Sequence, residues 1–442
     1  MLDTDLLPAT ASTRSLRAVT DMARSGAYST YVFYEHRGHW TVAVGALGTV
    51  ELKNNTTRTR WGTQPPRVAR WSGDPAAALR DALGSLPVTD WEVFGWVGFD
   101  FARTVHGLET SDDPHDPSLA HLVVPEMVAR FDSVDGPITF SGGTPAERAQ
   151  FTELLTAPQA HDLPIPEAID IRTDHDDFRG RAAQAIEEIN SDRYSKVILS
   201  RKVPVPFPVD LPHTYRLGRS GNSPQRSFLI KLGDLSAAGF SPELVVSVDL
   251  SRTVTTTPLA GTRSLGNGEH ADRTARDELE NDPKEISEHA VSVRTAFREI
   301  EAISDAGTAK VLDFMAVSER GSVQHLASTV SGQLREDLTP WDALSAVFPA
   351  VTASGIPKRA AVEAIYRLDE QPRGLYSGAI LTASSDGTLE AALALRTVIE
   401  QDGRAWLRAG AGIVEQSTPE REFEETCEKL GSVAPYLVRR DG

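Results

Sequence analysis

The chain has 442 residues, 40% of them hydrophobic and 24% charged, which is enough for a sizeable core and excludes a largely disordered chain. Its formal net charge of -17 argues against nucleic acid or an anionic membrane as partner, because both require a basic face. With a single cysteine, Cys427, there is no internal disulfide and no cysteine-based zinc cluster.

The start, MLDTDLLPATASTRSLRAV, lacks a basic segment ahead of an apolar run. No apolar run approaches the roughly 18 residues of a membrane span, so a cytoplasmic protein is expected. Residues 31–45, YVFYEHRGHWTVAVG, predict two strands around a polar turn. PAAALRDALGSL (75–86) has helical spacing, and VFGWVGFDF (93–101) reads as an apolar strand. HLVVPEMVARFDSVDGPITFSGG (121–143) predicts a hairpin turning at Asp135-Gly136. Hairpins dominate this region, so its sheet is expected to be largely antiparallel. The proline- and aspartate-rich stretch 156–177 is a linker candidate, separating an N-terminal half (1–165) from a second half (178–437).

An amphipathic helix is expected around 177–190, then a strand over YSKVILSRKVPV (194–205). RSFLIKLG, ELVVSVDL and RTVTTTPLAG follow as strands. One long helix is expected over about 272–304, with others over 358–369 and from Thr418. GLYSGAILTAS, ALALRTVIE and RAWLRAGAGIV predict three adjacent strands with short turns. Strands grouped with helices, without strict βαβ alternation, indicate an α+β protein.

DPKEISEHAVSV (282–293) sets Glu285 and Glu288 three residues apart, on one helix face. Carboxylates that close repel unless a proton or cation lies between them, so this face is either solvated or meets something cationic. EREFEETCEKL (420–430) repeats the spacing with Glu422 and Glu425, and Lys429 follows along the same face. Glu420, Glu424 and Glu428 are expected to face solvent. Two such helices could clamp a hard divalent ion, and all-oxygen ligation favours Mg²⁺ over zinc or copper. His289 does not complete the zinc signature H-x-x-E-H, because its first position is Glu285.

Gly410 and Gly412, in RAGAGIV, suit either amides turned towards an anion or close strand packing. Lys196 interrupts the apolar strand YSKVILSRK. It is either an exposed lysine or, in a closed cavity, a usable base. By the same logic Glu243, in GFSPELV, would be an acid of raised pKa. Arg396 interrupts ALALRTV, and a buried arginine implies a bound carboxylate. His325 and Tyr376 are either pocket liners or core residues.

Together these stretches resemble the chorismate-utilising enzymes. PLAGTRSLG (258–266), DELENDPKEISEHAVSV (277–293), VQHLASTVSG (323–332), FPAVTASGIPK (348–358), RGLYSGAI (373–380), ALALRT and RAGAGIVEQSTPEREFEETCEKL occur in the family's order, over roughly 185–435. Residues 1–160 match mainly at GWVGFDF. The resemblance implies one α+β unit of two large, mostly antiparallel sheets packed together with helices outside, so that 156–177 joins two halves of one fold. It implies that Glu285, Glu288, Glu422 and Glu425 hold Mg²⁺, and the ion holds the ring carboxylate of chorismate. Lys196 matches the base that activates water at ring C2, and Glu243 the acid that protonates the departing C4 hydroxyl. Tyr376, Arg396 and the amides near Gly410 match the grip on the enolpyruvyl carboxylate. Lys429 lies by the ring carboxylate, and Thr262 and His325 match pocket positions near the ring.

The amine-forming members follow E-x-x-E-H with DLxRND and lack a lysine at the place of Lys196. Here VSVRTAFREI follows and the lysine is present, which implies water chemistry and no glutaminase partner. Isochorismate synthases share Lys196 and Glu243. SKVILSRKV, TYRLGRSGNSPQRSFL, SERGSVQHLAST, VTASGIPK and FEETCEKL are most similar to the salicylate synthases of siderophore assembly. The expectation is a monomeric, Mg²⁺-dependent enzyme taking chorismate through isochorismate to salicylate and pyruvate. A non-catalytic small-anion binder would need Arg396 but neither Lys196 nor Glu243, and a metal-dependent hydrolase would lack a third ligand of the usual type.

Overall fold

The computed structural model describes residues 9–108, 118–157, 164–266, 268–320 and 323–440. Among these, β-branched and aromatic runs build two antiparallel sheets, of 10 and 12 strands. Tyr31–His36 pairs with His39–Val44 on one side and with Arg226–Leu232 on the other. Glu92–Val97 lies between Ala120–Val124 and Ala379–Ser384. Strands from both ends of the chain therefore interleave in each sheet.

The inner faces meet through Val32, Tyr34, Phe94, Trp96, Phe228 and Ile380, which form one buried cluster drawn from both sheets. Helices such as Pro75–Gly84, Pro340–Val347 and Lys358–Leu368 bury Leu79, Leu344 and Ile365 in a second cluster. Pro145–Thr156 and Leu211–Gly221 supply Phe151 and Tyr215 to a third. No helix among the described residues is long and apolar enough to cross a membrane.

The structure departs from the sequence pattern where the chain changes sheets. Ala120–Val124 belongs to the 12-stranded sheet and Met127–Phe131 to the 10-stranded one, so 121–143 is not one hairpin. Asp135-Gly136 instead turns between Met127–Phe131 and Thr139–Gly142. ALALRTVIE splits in the same way: Leu389–Leu393 lies in the larger sheet and Thr397–Gln401 in the smaller. Pro125 and the exposed Glu126 mark the first crossing, whereas the second, at 394–396, is flanked by buried residues with no such break. The helix expected over 272–304 is two, Glu269–Asn281 and Pro283–Ile303. Asp282 caps the second by accepting from the amides of Lys284 and Glu285, and Pro283 fits its first turn, where no backbone donor is missed.

Candidate active site

A cavity opens where strands of both sheets converge. The 10-stranded sheet lines it with Lys196, Ile198, Gly410 and Gly412, and the 12-stranded sheet with Leu259 and His325. Glu243 and Arg396 reach it from two points where the chain passes between the sheets, and Glu288, Tyr376, Ser377, Arg408, Glu425 and Lys429 are also in its wall. Glu285 and Glu422 are not among its lining residues; Glu285 lies against Gly261, which is, and Glu422 lies one turn before Glu425 on the helix Pro419–Leu430. Thr262 lies on the strand Leu259–Ser264, and its side chain falls outside the described residues.

Glu243 follows the strand Leu235–Ser241 and is buried. Burial pushes its carboxyl up to about 8, against a hydrogen bond donated by Thr352 Oγ1 (2.5 Å) and the charge of Lys196. At neutral pH the group therefore holds a proton it can give. Thr352 is a residue that sequence reasoning missed, although it lies in the family-like stretch FPAVTASGIPK. Lys196, equally buried, places its Nζ 2.7 Å from Glu288 Oε1.

Arg396 does not interrupt a strand. It sits at the crossing between Leu389–Leu393 and Thr397–Gln401 with a left-handed backbone (φ 50°). Its Nη2 lies 2.6 Å from His325 Nε2, while His325 Nδ1 lies 2.9 Å from the Gly261 carbonyl. A proton on Nδ1 satisfies that carbonyl and leaves Nε2 to accept from the guanidinium, which fixes a neutral imidazole. Gly261 is itself left-handed (φ 67°), and a Cβ there would come within 3.0 Å of Glu285 Oε2.

The two acidic helix faces each meet cations. Glu285 pairs with Arg263 (3.0 Å), Glu288 with Lys196 (2.7 Å), Glu425 with Lys429 (2.7 Å) and Glu422 with Lys284 (3.5 Å). Burial raises the pKa of Glu285, and repulsion from Glu288 and Glu425 adds to it. Glu422 is raised by burial and then by Glu425. Glu425 is held low despite its burial, chiefly by Lys429. The ammonium of Lys284 feels all four carboxylates, which hold it above its ordinary value although burial opposes its charge. Side-chain cations thus already balance the four glutamates.

Among the described residues no group of three or more His, Cys, Asp and Glu side chains is drawn together as a metal cluster. Both oxygens of Glu422 are nevertheless buried without a hydrogen-bond partner, and the nearby Ser417 hydroxyl donates to the Gly412 carbonyl instead (3.4 Å). Orphaned carboxylate oxygens in an all-oxygen donor set fit a hard cation.

Below the cavity lies a second charged layer. Asp369 is buried against Arg373 (2.8 Å), Arg408 (3.2 Å) and Arg181 (3.3 Å). Those arginines hold its carboxyl below the usual range in spite of burial. Arg181 also pairs with Asp176 (2.8 Å), while Arg373 and Arg408 lie under Tyr376, 5.9 Å and 5.8 Å from its ring centroid.

Gly410 and Gly412 stand in a strand and not in a turn: they lie within Arg404–Ile413, opposite Ser200 and Ile198. A Cβ on Gly410 would come within 2.5 Å of the Leu199 carbonyl and 3.0 Å of Tyr376 Oη, so close approach demands the glycine. The Gly410 carbonyl accepts from Lys429 Nζ (2.9 Å). His289 is fully buried, bonded to Ser328 Oγ (2.7 Å) and lowered by burial to about 4, which makes it a neutral core residue. Cys427 is also core, 3.1 Å from Arg201 Nη2. Glu420 and Glu428 are exposed and Glu424 half-buried.

Residues 29–435 match the family of chorismate binding enzymes. A salicylate synthase from Mycolicibacterium paratuberculosis is 49% identical over 93% of this chain and 90% of its own. Anthranilate synthase component 1 of Pseudomonas putida is 32% identical over 78% of this chain and 75% of its own. Among solved structures, anthranilate synthase component I of Streptococcus pneumoniae superposes with a TM-score of 0.76, at 28% identity, over 90% of this chain and 92% of that one. The menaquinone-specific isochorismate synthase of Escherichia coli shares the fold, with a TM-score of 0.72 at 20% identity over 95% and 91%.

Proposed function

The chain belongs to the chorismate-binding enzymes, and on that premise we propose that it is a Mg²⁺-dependent salicylate synthase, taking chorismate through isochorismate to salicylate and pyruvate for siderophore assembly. The observation that carries this reading is Lys196 in one cavity with a Glu243 that stays protonated at neutral pH. Identity of 49% to a salicylate synthase, against 32% to an anthranilate synthase, supports water rather than ammonia as nucleophile.

In this mechanism Lys196 takes a proton from a water directed at ring C2. Glu243 gives its proton to the C4 hydroxyl, which leaves as water while the ring double bonds shift. The contact between Lys196 and Glu288 has to be released before the amine accepts that proton. In the isochorismate so formed, the hydrogen on C2 passes to the enolpyruvyl methylene carbon as the C3–O bond breaks. Pyruvate departs and the ring becomes aromatic. That transfer is internal to the substrate, so the protein need only hold the enolpyruvyl arm over C2. Tyr376, Arg396 and the backbone at Gly410 would grip its carboxylate, with Thr262 and His325 along the ring.

Mg²⁺ held by Glu285, Glu288, Glu422 and Glu425 would supply the charge that lets an acidic protein bind the ring carboxylate, beside Lys429. Residues 1–165 and 178–437 act as halves of one monomeric, cytoplasmic enzyme that needs no glutaminase subunit. Incubation with chorismate and Mg²⁺, followed by product chromatography, tests the reading. Salicylate and pyruvate in equal amounts are expected, with neither formed in EDTA. Isochorismate as sole product, or full turnover in EDTA, contradicts it.

A further inference from the structure

Ser377 follows Tyr376, is fully buried and lines the cavity. Its backbone is left-handed, with φ 63°, a conformation that residues bearing a Cβ avoid. The surroundings enforce it. Ser377 N donates to the Ala394 carbonyl (3.0 Å), and Ala394 N donates to the Gly378 carbonyl (2.9 Å). This turn is thereby tied to the crossing that carries Arg396, which is also left-handed.

The hydroxyl makes no use of this enforced position within the protein. Ser377 Oγ is shielded from solvent and has no hydrogen-bond partner among the described residues. Of the described residues with such an orphaned polar atom, it alone lines this cavity. Glycine, already present on either side as Gly374 and Gly378, would escape both the strain and the unmet hydroxyl. A serine kept at both costs points to a partner that arrives from outside. Arg396, Arg408 and Lys429 line the same cavity together with Glu288 and Glu425, and the partner in keeping with the proposed function is the carboxylate of the substrate.

We propose that Ser377 is a substrate-binding residue whose hydroxyl donates to the substrate carboxylate gripped by Tyr376 and Arg396. The proposal rests on the cavity being the chorismate site. Steady-state kinetics and thermal melting of the full-length Ser377→Ala and Ser377→Gly variants test it. A hydrogen bond to a charged group makes KM for chorismate rise about tenfold or more in both, with kcat changed far less. Ser377→Gly, freed of the left-handed strain, should melt above the wild type while binding worse, two effects that a purely structural serine would not combine. An active wild type whose two variants keep KM within about twofold overturns this proposal alone. So does a rise in KM that goes with a lowered melting temperature in both. A wild type that leaves chorismate unchanged overturns the parent reading and this one with it.

Discussion

Burial holds the Glu243 carboxyl near 8, where a free glutamate titrates near 4.5. Between those values the unfolded chain releases a proton that the folded chain keeps, so this residue makes stability fall as pH rises from about 4.5 to about 8. Below that window it contributes nothing, and above it the loss is complete. Glu243→Gln should remove that slope, giving a protein more stable than wild type at pH 8 but without turnover. Urea denaturation at pH 5 and pH 8 measures the difference, and equal slopes for the two proteins would refute the buried acid. Wild-type turnover should fall on its alkaline side with a midpoint near 8, as Glu243 loses the proton it donates.

At this scale the paired glutamates were legible because i, i+3 spacing forces one helix face. Glu243 and Lys196 were legible only as conditional readings, since burial decides their chemistry. Thr352, Arg263 and Ser377 left no local sign. Their roles arise from contacts with residues far along the chain, or from a left-handed turn that usually announces itself with glycine.

Crossings between the sheets do the positioning at the next scale. Glu243 stands between Leu235–Ser241 of one sheet and Leu244–Val248 of the other, and Arg396 stands at the return. Such points break strand pairing and leave side chains free to enter the space between sheets; Pro242 marks the first crossing in the sequence, whereas the return at Arg396 carries neither Gly nor Pro.

The helix Pro283–Ile303, which bears Glu285 and Glu288, is anchored further along at Glu299. That carboxylate pairs with Lys358 (2.7 Å), the first residue of Lys358–Leu368, whose ammonium also donates to the Val347 carbonyl (2.6 Å). Burial lowers the pKa of Lys358 and raises that of Glu299. Lys358→Met would strand Glu299, at a cost of about 3–5 kcal/mol near pH 7. The cost should shrink as the pH is lowered, because burial raises the pKa of Glu299 and favours its protonated form, and Lys358→Met/Glu299→Gln should recover most of it. Denaturant titrations of the single and double variants measure both effects. A single-variant cost below about 1 kcal/mol would show that the pair behaves like an exposed one.

For the whole molecule, interleaved strands explain why the stretch 156–177 does not separate a pair of independent cores. Tyr31–His36 pairs with Arg226–Leu232, and Glu92–Val97 with Ala379–Ser384, so each sheet needs both ends of the chain. The α+β class and antiparallel pairing were legible from strand and helix pattern. The two-sheet architecture came from resemblance, because nothing local records which sheet a strand joins. The large negative charge is arranged so that each of the four glutamates beside the cavity meets a lysine or arginine, while Arg373 and Arg408 lie beneath Tyr376.

Turnover of chorismate with Mg²⁺ in water enriched in ¹⁸O follows the central step directly, because the oxygen placed on ring C2 is the one that salicylate keeps as its phenol. Mass spectrometry should find one solvent oxygen in the phenol of every salicylate formed, and no salicylate from Lys196→Ala, which still binds chorismate. Salicylate free of solvent oxygen, or an undiminished yield from Lys196→Ala, would contradict water attack directed by Lys196.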